Sequence, residues 1–295
     1  MRKTIFILGA PRSGTTLLIN MLVINQSHIF GSAFESQFYT TTLRQPYSLE
    51  SFTGSTYFKS LLNEEEAKKI FQQSKDQISF FRNTISYCLD REGKSVFAEK
   101  SPMHTLFHKE LYRDFENVVF ILIKRNLCAN VQSIAFTKWI PLNTDGLPSF
   151  ISNNKSIRYF FATLHLYKYW KAQKDLEKHP ACKLSIQYED IILEKVNMKE
   201  LLSGALGFEP DELFVSRPFS DAVKHRNYGL DKSRVEDYKN VMPERIQYFI
   251  NAVFDPKTII QKLYGKIIIW MFFEPFILIR DEIFCCSREI MLDKK

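Results

Sequence analysis

The residues best suited to chemistry in this chain begin with a glycine-containing loop near its amino terminus. The loop is Gly9-Ala10-Pro11-Arg12-Ser13-Gly14-Thr15-Thr16, and it follows an apolar run over residues 4–8. The run predicts a buried strand, and the apolar spacing after the loop predicts a helix. Glycines let the backbone approach an anion closely, and the amides at a helix N-terminus face it. The segment therefore predicts a phosphate-binding loop, with a ligand-free turn as the alternative.

This loop has the glycine spacing of a Walker A loop but a different composition. Gly9 and Gly14 stand at the two glycine positions, whereas Thr15 occupies the place of the lysine that reaches nucleoside triphosphate phosphates. The basic residue lies inside the loop instead, at Arg12. We therefore expect an anion site that differs from that of a standard ATPase.

Two more polar positions follow predicted strands. Glu35 lies near the end of a short second strand, and Lys100 ends a run that Pro102 prevents from continuing. In an open α/β sheet, ligands lie outside the carboxyl ends of the strands, so both side chains are expected at the edge that carries the loop. For Glu35, a solvated loop position is the alternative. His104 follows on the next turn and either touches the site or packs beside it.

The clearest buried strand, at residues 117–123, ends in Lys124 and Arg125. A Walker B strand would end in an aspartate that holds Mg²⁺. Two cations in its place indicate direct contact with an anion, so we expect no metal. Ser133 lies eight residues after Arg125, within the helix predicted to follow. A solvated corner with an arginine and a serine is the alternative.

The composition is that of a globular protein. Of 295 residues, 45% are hydrophobic and 25% charged, and the formal net charge is +7. This charge suits an anionic ligand, but the lysines and arginines are scattered, so we do not expect nucleic-acid binding. The five cysteines lack metal-ligand spacing, which predicts reduced thiols and no zinc site. Because the first strand starts by residue 4, we expect no signal peptide and a cytoplasmic location.

These groups require a scaffold that brings strand ends together. The expected fold is α/β: a P-loop-like three-layer fold with a central, mainly parallel sheet flanked by helices, plus a helical C-terminal segment. We expect one domain over residues 1–295, with an insertion at about 36–95 and a helical extension at about 241–295.

Hydrophobic periodicity predicts the individual elements. It favours helices at about 64–90, 156–178, 191–207 and 241–264, and a strand at 183–188. Composition predicts a loop or insertion at 36–60 and a loop at 138–156, for which an acceptor-side lid is the alternative. The basic segment 224–234 is either a solvated loop or a flap over a polyanion.

Residues 267–279 form an apolar, aromatic stretch that Glu274 and Pro275 interrupt. At 13 residues it is too short to span a bilayer. A packed terminal helix is expected. The alternative is a peripheral membrane or partner contact through Trp270, Phe272, Phe273 and Phe276.

Taken together, these groups resemble the sulfotransferases that use 3′-phosphoadenosine 5′-phosphosulfate (PAPS). Residues 11–16 look like that family's 5′-phosphosulfate loop, and Arg125-Asn126 through Ser133 looks like its 3′-phosphate site. Glu99-Lys100-Ser101-Pro102 and Tyr188-Glu189-Asp190 match secondary motifs. The pattern is closest to the bacterial branch related to tyrosylprotein sulfotransferases, in which the base is a glutamate after the second strand, as Glu35 is here.

The resemblance implies a role for each group. Glu35 would be the general base and Lys100 would neutralise the bridging oxygen of the leaving phosphate, with His104 as the alternative base. Tyr188 would contact the nucleotide. The 5′-phosphosulfate would be held by Arg12, Ser13, Gly14, Thr15 and Thr16, and the 3′-phosphate by Arg125 and Ser133.

PAPS would be the co-substrate and 3′,5′-ADP (PAP) the product. The acceptor would be a hydroxyl of a carbohydrate, lipid, small metabolite or tyrosyl peptide. The glycine-rich C-terminal segment of cytosolic sulfotransferases is absent here, and Ser233 and Arg234 are candidate replacements for its contacts. Leu127-Cys128-Ala129-Asn130 also lacks the proline and acidic residue often found there. The competing hypotheses are an atypical P-loop kinase and an inactive nucleotide-binding scaffold protein.

Overall fold

A computed structural model describes residues 2–24, 26–40, 42–137, 154–211 and 232–273. The chain divides into two compact units, which we describe separately. The first comprises Met1–Arg125 and Ala172–Lys232, and the second comprises Asn126–Lys171 and Ser233–Lys295. The expectation of a single domain over residues 1–295 stays a prediction.

The first unit is built on a five-stranded parallel sheet with the order β2-β3-β1-β4-β5. This sheet confirms the predicted α/β fold class. In register, Ile7 of β1 lies beside Lys100 of β3 and Ile121 of β4. The carboxyl ends of these three central strands therefore meet at one edge. The strands are β1 (Lys3–Leu8), β2 (Ile29–Gly31), β3 (Val96–Lys100), β4 (Val118–Lys124) and β5 (Cys182–Gln187).

Helices connect the strands and complete both units. In chain order, the α-helices are α1 (Thr15–Val23), α2 (Leu49–Thr53), α3 (Thr56–Leu61), α4 (Glu64–Gln72), α5 (Gln77–Glu92), α6 (His108–Asp114), α7 (Leu127–Ala135), α8 (Lys155–Leu176), α9 (Tyr188–Ile192), α10 (Met198–Leu206), α11 (Asp237–Val241), α12 (Glu244–Phe254) and α13 (Ile259–Ile268). Short 3₁₀ turns lie at Thr42–Arg44, Pro102–Phe107 and Lys232–Val235, and a π-helical turn at Ile269–Phe273.

The sheet is buried on both faces, as its continuous apolar strands require. Side chains alternate along each strand, so one face carries Phe6, Phe97 and Phe120, which pack against α2–α6. The other face carries Ile5 and Ile121, which pack against α1, α9 and α10. This unit therefore has a helix–sheet–helix arrangement, in agreement with the predicted three layers.

The single helix predicted at 64–90 is wrong, because two helices, α4 and α5, occupy this region. The chain is interrupted at residues 73–76. Asp76 accepts a hydrogen bond from the Ser79 amide at 2.7 Å, while the Ser79 hydroxyl bonds back to the Asp76 amide at 3.0 Å. This capping box starts α5 and ends the helical register of α4.

The segment predicted at 36–60 as a loop or insertion contains two helices, α2 and α3, so a loop throughout is wrong. Their composition is polar, but Phe52, Tyr57 and Phe58 are almost fully buried in the aromatic core. Tertiary packing therefore stabilises helices that local composition does not favour. The helix predicted at 191–207 is shorter than expected. The end of α9 and the whole of α10 occupy this range.

The second unit is helical in its described part. The helix predicted at 156–178 is confirmed as α8, whose last turn belongs to the first unit. The helix predicted at 241–264 is two helices, α12 and α13, separated around Pro256. No helix of the described residues is long and apolar enough to cross a membrane. The described residues exclude 138–153 of the predicted loop, 224–231 of the basic segment and 274–279 of the apolar stretch.

Candidate active site

The loop at residues 9–16 leaves β1 and enters α1 through left-handed backbone. Arg12 has φ of 69° and Gly14 has φ of 102°. A Cβ at Gly14 would lie 2.4 Å from Cδ2 of Tyr188, and one at Gly9 would lie 2.5 Å from the Ile123 carbonyl oxygen. Both glycines are therefore required by close approach of neighbouring chain.

The loop leaves polar groups available for an anion. Helix α1 begins at Gly14 without a side-chain cap, and its first turn has no acidic residue. The Ser13 hydroxyl is buried and has no hydrogen-bond partner. Because the first amides of a helix lack intrahelical partners and lie at its positive end, this arrangement fits a phosphate or sulfate group.

Tyr188 and Arg125 lie beside this loop. The Arg125 guanidinium is 4.8 Å from the centre of the Tyr188 ring, and its Nη1 donates to the Arg12 carbonyl at 3.0 Å. The Tyr188 ring in turn covers Gly14. Residues that are distant in the sequence thus meet beside the glycine loop.

Lys124 is the other cation at the end of β4. Both cations are predicted to contact a bound anion, but Lys124 pairs with a carboxylate of the protein itself. Its Nζ pairs with the Glu177 carboxylate, which also accepts a hydrogen bond from the Ser185 hydroxyl at 2.9 Å. Lys124 is therefore neutralised within the protein, and Arg125 is the strand-end cation that faces the loop.

Glu35 and Lys100 form an ion pair. Lys100 Nζ lies 2.8 Å from Glu35 Oε1; the lysine side chain is 3% exposed and the glutamate side chain 34%. Lys100 is the last residue of β3, beside Ile7 of β1, and Glu35 follows β2 by four residues. The structure thus brings these two predicted residues into contact at the strand edge from which the loop emerges.

A buried polar cluster lies behind this pair, formed by Glu99, Ser36, Ser101 and His104. Glu99 is completely buried. Its Oε1 accepts hydrogen bonds from the Ser36 hydroxyl at 2.7 Å and the Ser101 hydroxyl at 2.6 Å, and its Oε2 lies 3.1 Å from His104 Nδ1. The Ser101 oxygen also accepts from the Gln37 amide at 3.1 Å. The cluster links the loop that carries Glu35 to the strand that carries Lys100.

The pKa of Glu99 lies below its ordinary value. Burial acts to raise the pKa of this carboxyl, but the charge interaction with His104 and hydrogen bonds from His104, Ser101 and Ser36 outweigh that effect. A carboxylate that accepts several hydrogen bonds remains ionised although it is buried. Glu99 is therefore a fixed negative charge behind the Glu35–Lys100 pair.

His104, predicted as the alternative base, is completely buried. Its ring packs edge-on against Phe6 and Tyr39, and its Nε2 has no hydrogen-bond partner. The next residue, Thr105, binds the start of the glycine loop. Its hydroxyl accepts from the Gly9 amide at 2.8 Å and donates to the Gly9 carbonyl at 2.9 Å. The segment after β3 therefore supports the loop as well as the ion pair.

The predicted contacts in the second unit stay predictions. Ser133 is half-buried on α7. Ser233 and Arg234 lie in the 3₁₀ turn Lys232–Val235. In the part of the chain that the structure describes, no three His, Cys, Asp or Glu side chains are placed to hold a metal ion.

Sequence reasoning missed Glu99, Ser36 and Thr105 as site residues. In the run Glu99-Lys100-Ser101-Pro102, the position at the strand end predicts a role for Lys100 but none for Glu99. A carboxylate within an otherwise apolar strand was the available signal, because such a group is buried only with partners.

A glycine loop between β1 and a helix at the carboxyl edge of a parallel sheet, with Lys100 and Arg125 at the ends of the two strands that flank β1, defines an α/β protein of the P-loop-like class. The chain belongs to the sulfotransferase family, whose sequence model matches residues 4–212. No curated protein matches the chain significantly.

Solved structures of similar fold include two sulfotransferase domains. The domain from the curacin biosynthetic pathway is 17% identical, with a TM-score of 0.59 over 90% of this chain and 97% of that one. The domain from the Synechococcus PCC 7002 olefin synthase is 15% identical, with a TM-score of 0.52 over 90% of this chain and 94% of that one. At these identities the likeness establishes the fold.

Proposed function

We propose that this sulfotransferase uses PAPS and transfers its sulfuryl group to an acceptor hydroxyl, with Glu35 as the general base. The observation that carries the proposal is the contact between Glu35 and Lys100, 2.8 Å apart, at the strand edge that carries the phosphate loop. A carboxylate that can take a proton and a cation that can meet a leaving phosphate are the two groups this reaction needs.

The residues beside the loop fit PAPS. The uncapped amides of α1 and the buried Ser13 hydroxyl suit the 5′-phosphosulfate, together with Arg12, Thr15 and Thr16. Arg125, stacked on Tyr188, suits a second phosphate beside the nucleotide, with Ser133 as its proposed companion. When bound, PAPS supplies a sulfuryl group attached to a phosphate that can leave.

In the proposed reaction, the acceptor oxygen forms a bond to sulfur while the bond from sulfur to the phosphate oxygen breaks. Glu35 takes the hydroxyl proton, a contribution of roughly 10²–10⁴-fold. Lys100 stabilises the charge that develops on the leaving oxygen. Because Lys100 is held in place by burial, little reorganisation is needed as that charge appears.

The nucleotide specificity can be tested by thermal unfolding. We expect 3′,5′-ADP to stabilise the protein more than 5′-ADP, with and without EDTA, because binding to the native state raises its stability. Equal stabilisation by the two nucleotides would overturn PAPS use. Stabilisation by ATP that requires Mg²⁺ would instead support the atypical kinase.

Transfer itself can be tested with radiolabelled PAPS and a cell extract. We expect labelling by the wild-type chain and loss of labelling with Lys100→Ala and Glu35→Ala. If the wild type binds 3′,5′-ADP but labels no acceptor, the inactive nucleotide-binding scaffold is favoured. If Glu35→Ala retains the wild-type rate, His104 becomes the base to test.

A cytoplasmic location is part of the proposal. The described cysteines, Cys88, Cys128 and Cys182, are free thiols. Burial raises the pKa of Cys88 to about 12 and that of Cys128 to about 11. Thiols that stay protonated react slowly with oxidants, and their free state is consistent with a reducing compartment.

We also propose that helix α13 contacts a lipid surface. Ile259, Leu263 and Ile267 recur on one exposed side of α13, and Trp270 beyond them is 73% exposed. This side faces away from Gly265, where a Cβ would lie only 2.0 Å from the Ala252 carbonyl oxygen of α12. Apolar residues on the side opposite the packing contact favour an interfacial helix.

The charge of this segment favours an anionic surface. Lys262 and Lys266 are exposed on α13, and residues 256–273 contain no aspartate or glutamate. A second copy of the chain would bring the same lysines close to one another, which is less favourable than anionic headgroups.

A further inference from the structure

Two neighbouring contacts join the Glu35 loop to the end of β3. Glu35 and Ser36 are successive residues, as are Glu99 and Lys100. The first contact pairs Glu35 with Lys100 at 2.8 Å, and the second pairs Ser36 with Glu99 at 2.7 Å. The first is partly exposed, with 34% of the Glu35 side chain accessible, whereas Glu99 is fully buried and Ser36 is 4% exposed. The buried contact therefore lies directly behind the pair proposed to do chemistry.

The Glu99 carboxylate accepts several hydrogen bonds and so connects several neighbouring side chains. One carboxylate oxygen accepts from both the Ser36 and Ser101 hydroxyls, and the other contacts His104. Ser101 extends the contact by accepting from the Gln37 amide at 3.1 Å. Of the two residues after Glu35, Ser36 is thus bonded to Glu99 directly and Gln37 is connected to it through Ser101.

Glu35 lies between β2 and these contacts, in a segment that is not part of a strand. β2 ends at Gly31, and Glu35 follows in irregular backbone. β3, in contrast, is buried throughout and paired on both sides. A side chain on a loop is positioned only as well as the contacts that anchor the loop, and the Glu99 cluster anchors the two residues that follow Glu35.

We infer that Glu99 is a positioning residue, whose carboxylate anchors Ser36 and Gln37 against β3 and thereby sets Glu35 opposite Lys100. The inference rests on the proposed function, because it is Glu35 whose placement matters for transfer. Glu99 does not touch the reacting atoms. Its effect on the reaction comes through the geometry of the Glu35 loop.

The first test compares Glu99→Gln with the wild type. The amide keeps the volume of the carboxyl but cannot accept hydrogen bonds at both oxygen positions. Because displacement by about 1 Å can cost about 10²-fold in rate, we expect kcat to fall by about 10- to 100-fold. The KM for PAPS and the thermal stabilisation by 3′,5′-ADP should change little, since the nucleotide groups are untouched.

A serine pair provides the matched control. Ser36 and Ser32 are both buried and lie on the same loop, but Ser32 bonds to the Ser60 hydroxyl at 2.9 Å rather than to Glu99. We expect Ser36→Ala to lower kcat as Glu99→Gln does and Ser36→Thr to retain much of the rate. Ser32→Ala should lower kcat less than Ser36→Ala, because the Ser32 hydroxyl contacts Ser60 and accepts from the Phe34 amide at 3.1 Å but does not contact Glu99. If Glu99→Gln does not fold, the serine variants decide the question.

Hydrogen exchange measures the positioning without relying on activity. The Gln37 amide donates to Ser101, so a peptide covering residues 33–38 should be protected in the wild type and exchange faster in Glu99→Gln and Ser36→Ala. Failure of the wild type to transfer sulfuryl would overturn the proposed function but leave this test intact. Unchanged exchange, or a wild-type kcat in both variants, would overturn the positioning role.

Discussion

The Lys100 ammonium lies 2.8 Å from the Glu35 carboxylate, yet only 3% of the lysine side chain is exposed against 34% of the glutamate side chain. The cation is thus fixed by the sheet, while the carboxylate is open to a molecule arriving from solvent. This difference in exposure agrees with the proposed roles, in which Lys100 stabilises the leaving group and Glu35 takes a proton from the acceptor.

Removal of either member of this pair should abolish most of the transfer activity. We expect Glu35→Gln to lower kcat by about 10²–10⁴-fold and Lys100→Ala by about 10²–10³-fold. Because the two groups act together, the double variant should lose less than the sum of the two free-energy changes. Steady-state kinetics with PAPS measures all three. Additive losses would show that the two residues act independently.

Arg125 should determine the preference for a 3′-phosphate. Arg125→Lys keeps the charge but loses the stacking on Tyr188 and the hydrogen bond to the Arg12 carbonyl. We expect 3′,5′-ADP to lose about 1.5–3 kcal/mol of binding free energy, with a smaller loss for 5′-ADP. Calorimetry gives both values. Lys124→Ala is the control, because Lys124 pairs with Glu177 and should leave the nucleotide preference intact.

Gly14→Ala should damage the loop through strain in left-handed backbone and through a clash with Tyr188. Gly93→Ala would show the backbone effect alone. Gly14 has φ of 102°, and a Cβ there would lie 2.4 Å from Tyr188, whereas Gly93 has φ of 63° with nothing within 4 Å. We expect Gly93→Ala to cost about 1–2 kcal/mol from left-handed backbone alone. Gly14→Ala should cost more in unfolding free energy and also abolish stabilisation by 3′,5′-ADP. Equal effects of the two substitutions would exclude the contact with Tyr188.

The sequence is sufficient to predict the parts of the site that depend on local order. Strand, glycine loop and helix follow one another between residues 4 and 22, and Arg125 directly follows an unbroken apolar strand. The capping box between Asp76 and Ser79 is equally local, although we predicted one helix across it.

The remaining features depend on contacts between distant residues. Glu99 and Ser36 are 63 positions apart, and Lys124 and Glu177 are 53 apart. Neither contact can be found without the order and register of β1, β3, β4 and β5. For the same reason, the helices α2 and α3 depend on an aromatic core to which α5 contributes Phe80 and Phe81.

The stability of the protein should depend on the ionisation of Glu99. The pKa of this carboxyl lies below its ordinary value of 4.5, because His104, Ser101 and Ser36 together outweigh the effect of burial, which alone would raise it. The unfolded chain therefore binds the proton first as the pH falls. The stabilisation is complete above the unfolded-state pKa and is lost as the pH falls through the folded-state value.

Urea unfolding of the wild type and Glu99→Gln tests this dependence. We expect the difference between their unfolding free energies to be constant above about pH 5 and to shrink at lower pH, since only the wild type loses this contribution. Carboxylates distant from Glu99 titrate in both proteins, so their contributions cancel in the difference. A difference that stays constant through the acidic range would show that Glu99 has the same pKa in the folded and unfolded chain.

Vesicle binding should require the exposed apolar side of α13. We expect the protein to sediment with vesicles of phosphatidylglycerol and phosphatidylcholine, and less with phosphatidylcholine alone, because Lys262 and Lys266 accompany the apolar side chains. Trp270→Glu should release it, because burying a charge at the interface opposes insertion. Tyr112→Glu is the matched control: Tyr112 is also exposed, at 49%, but lies on α6 in the other unit.

Loss of binding in both variants would indicate a general effect of charge, and equal binding to both vesicle types would exclude the electrostatic contribution. A wild type that stays in solution but self-associates through α13 would show that the side is covered by a second copy.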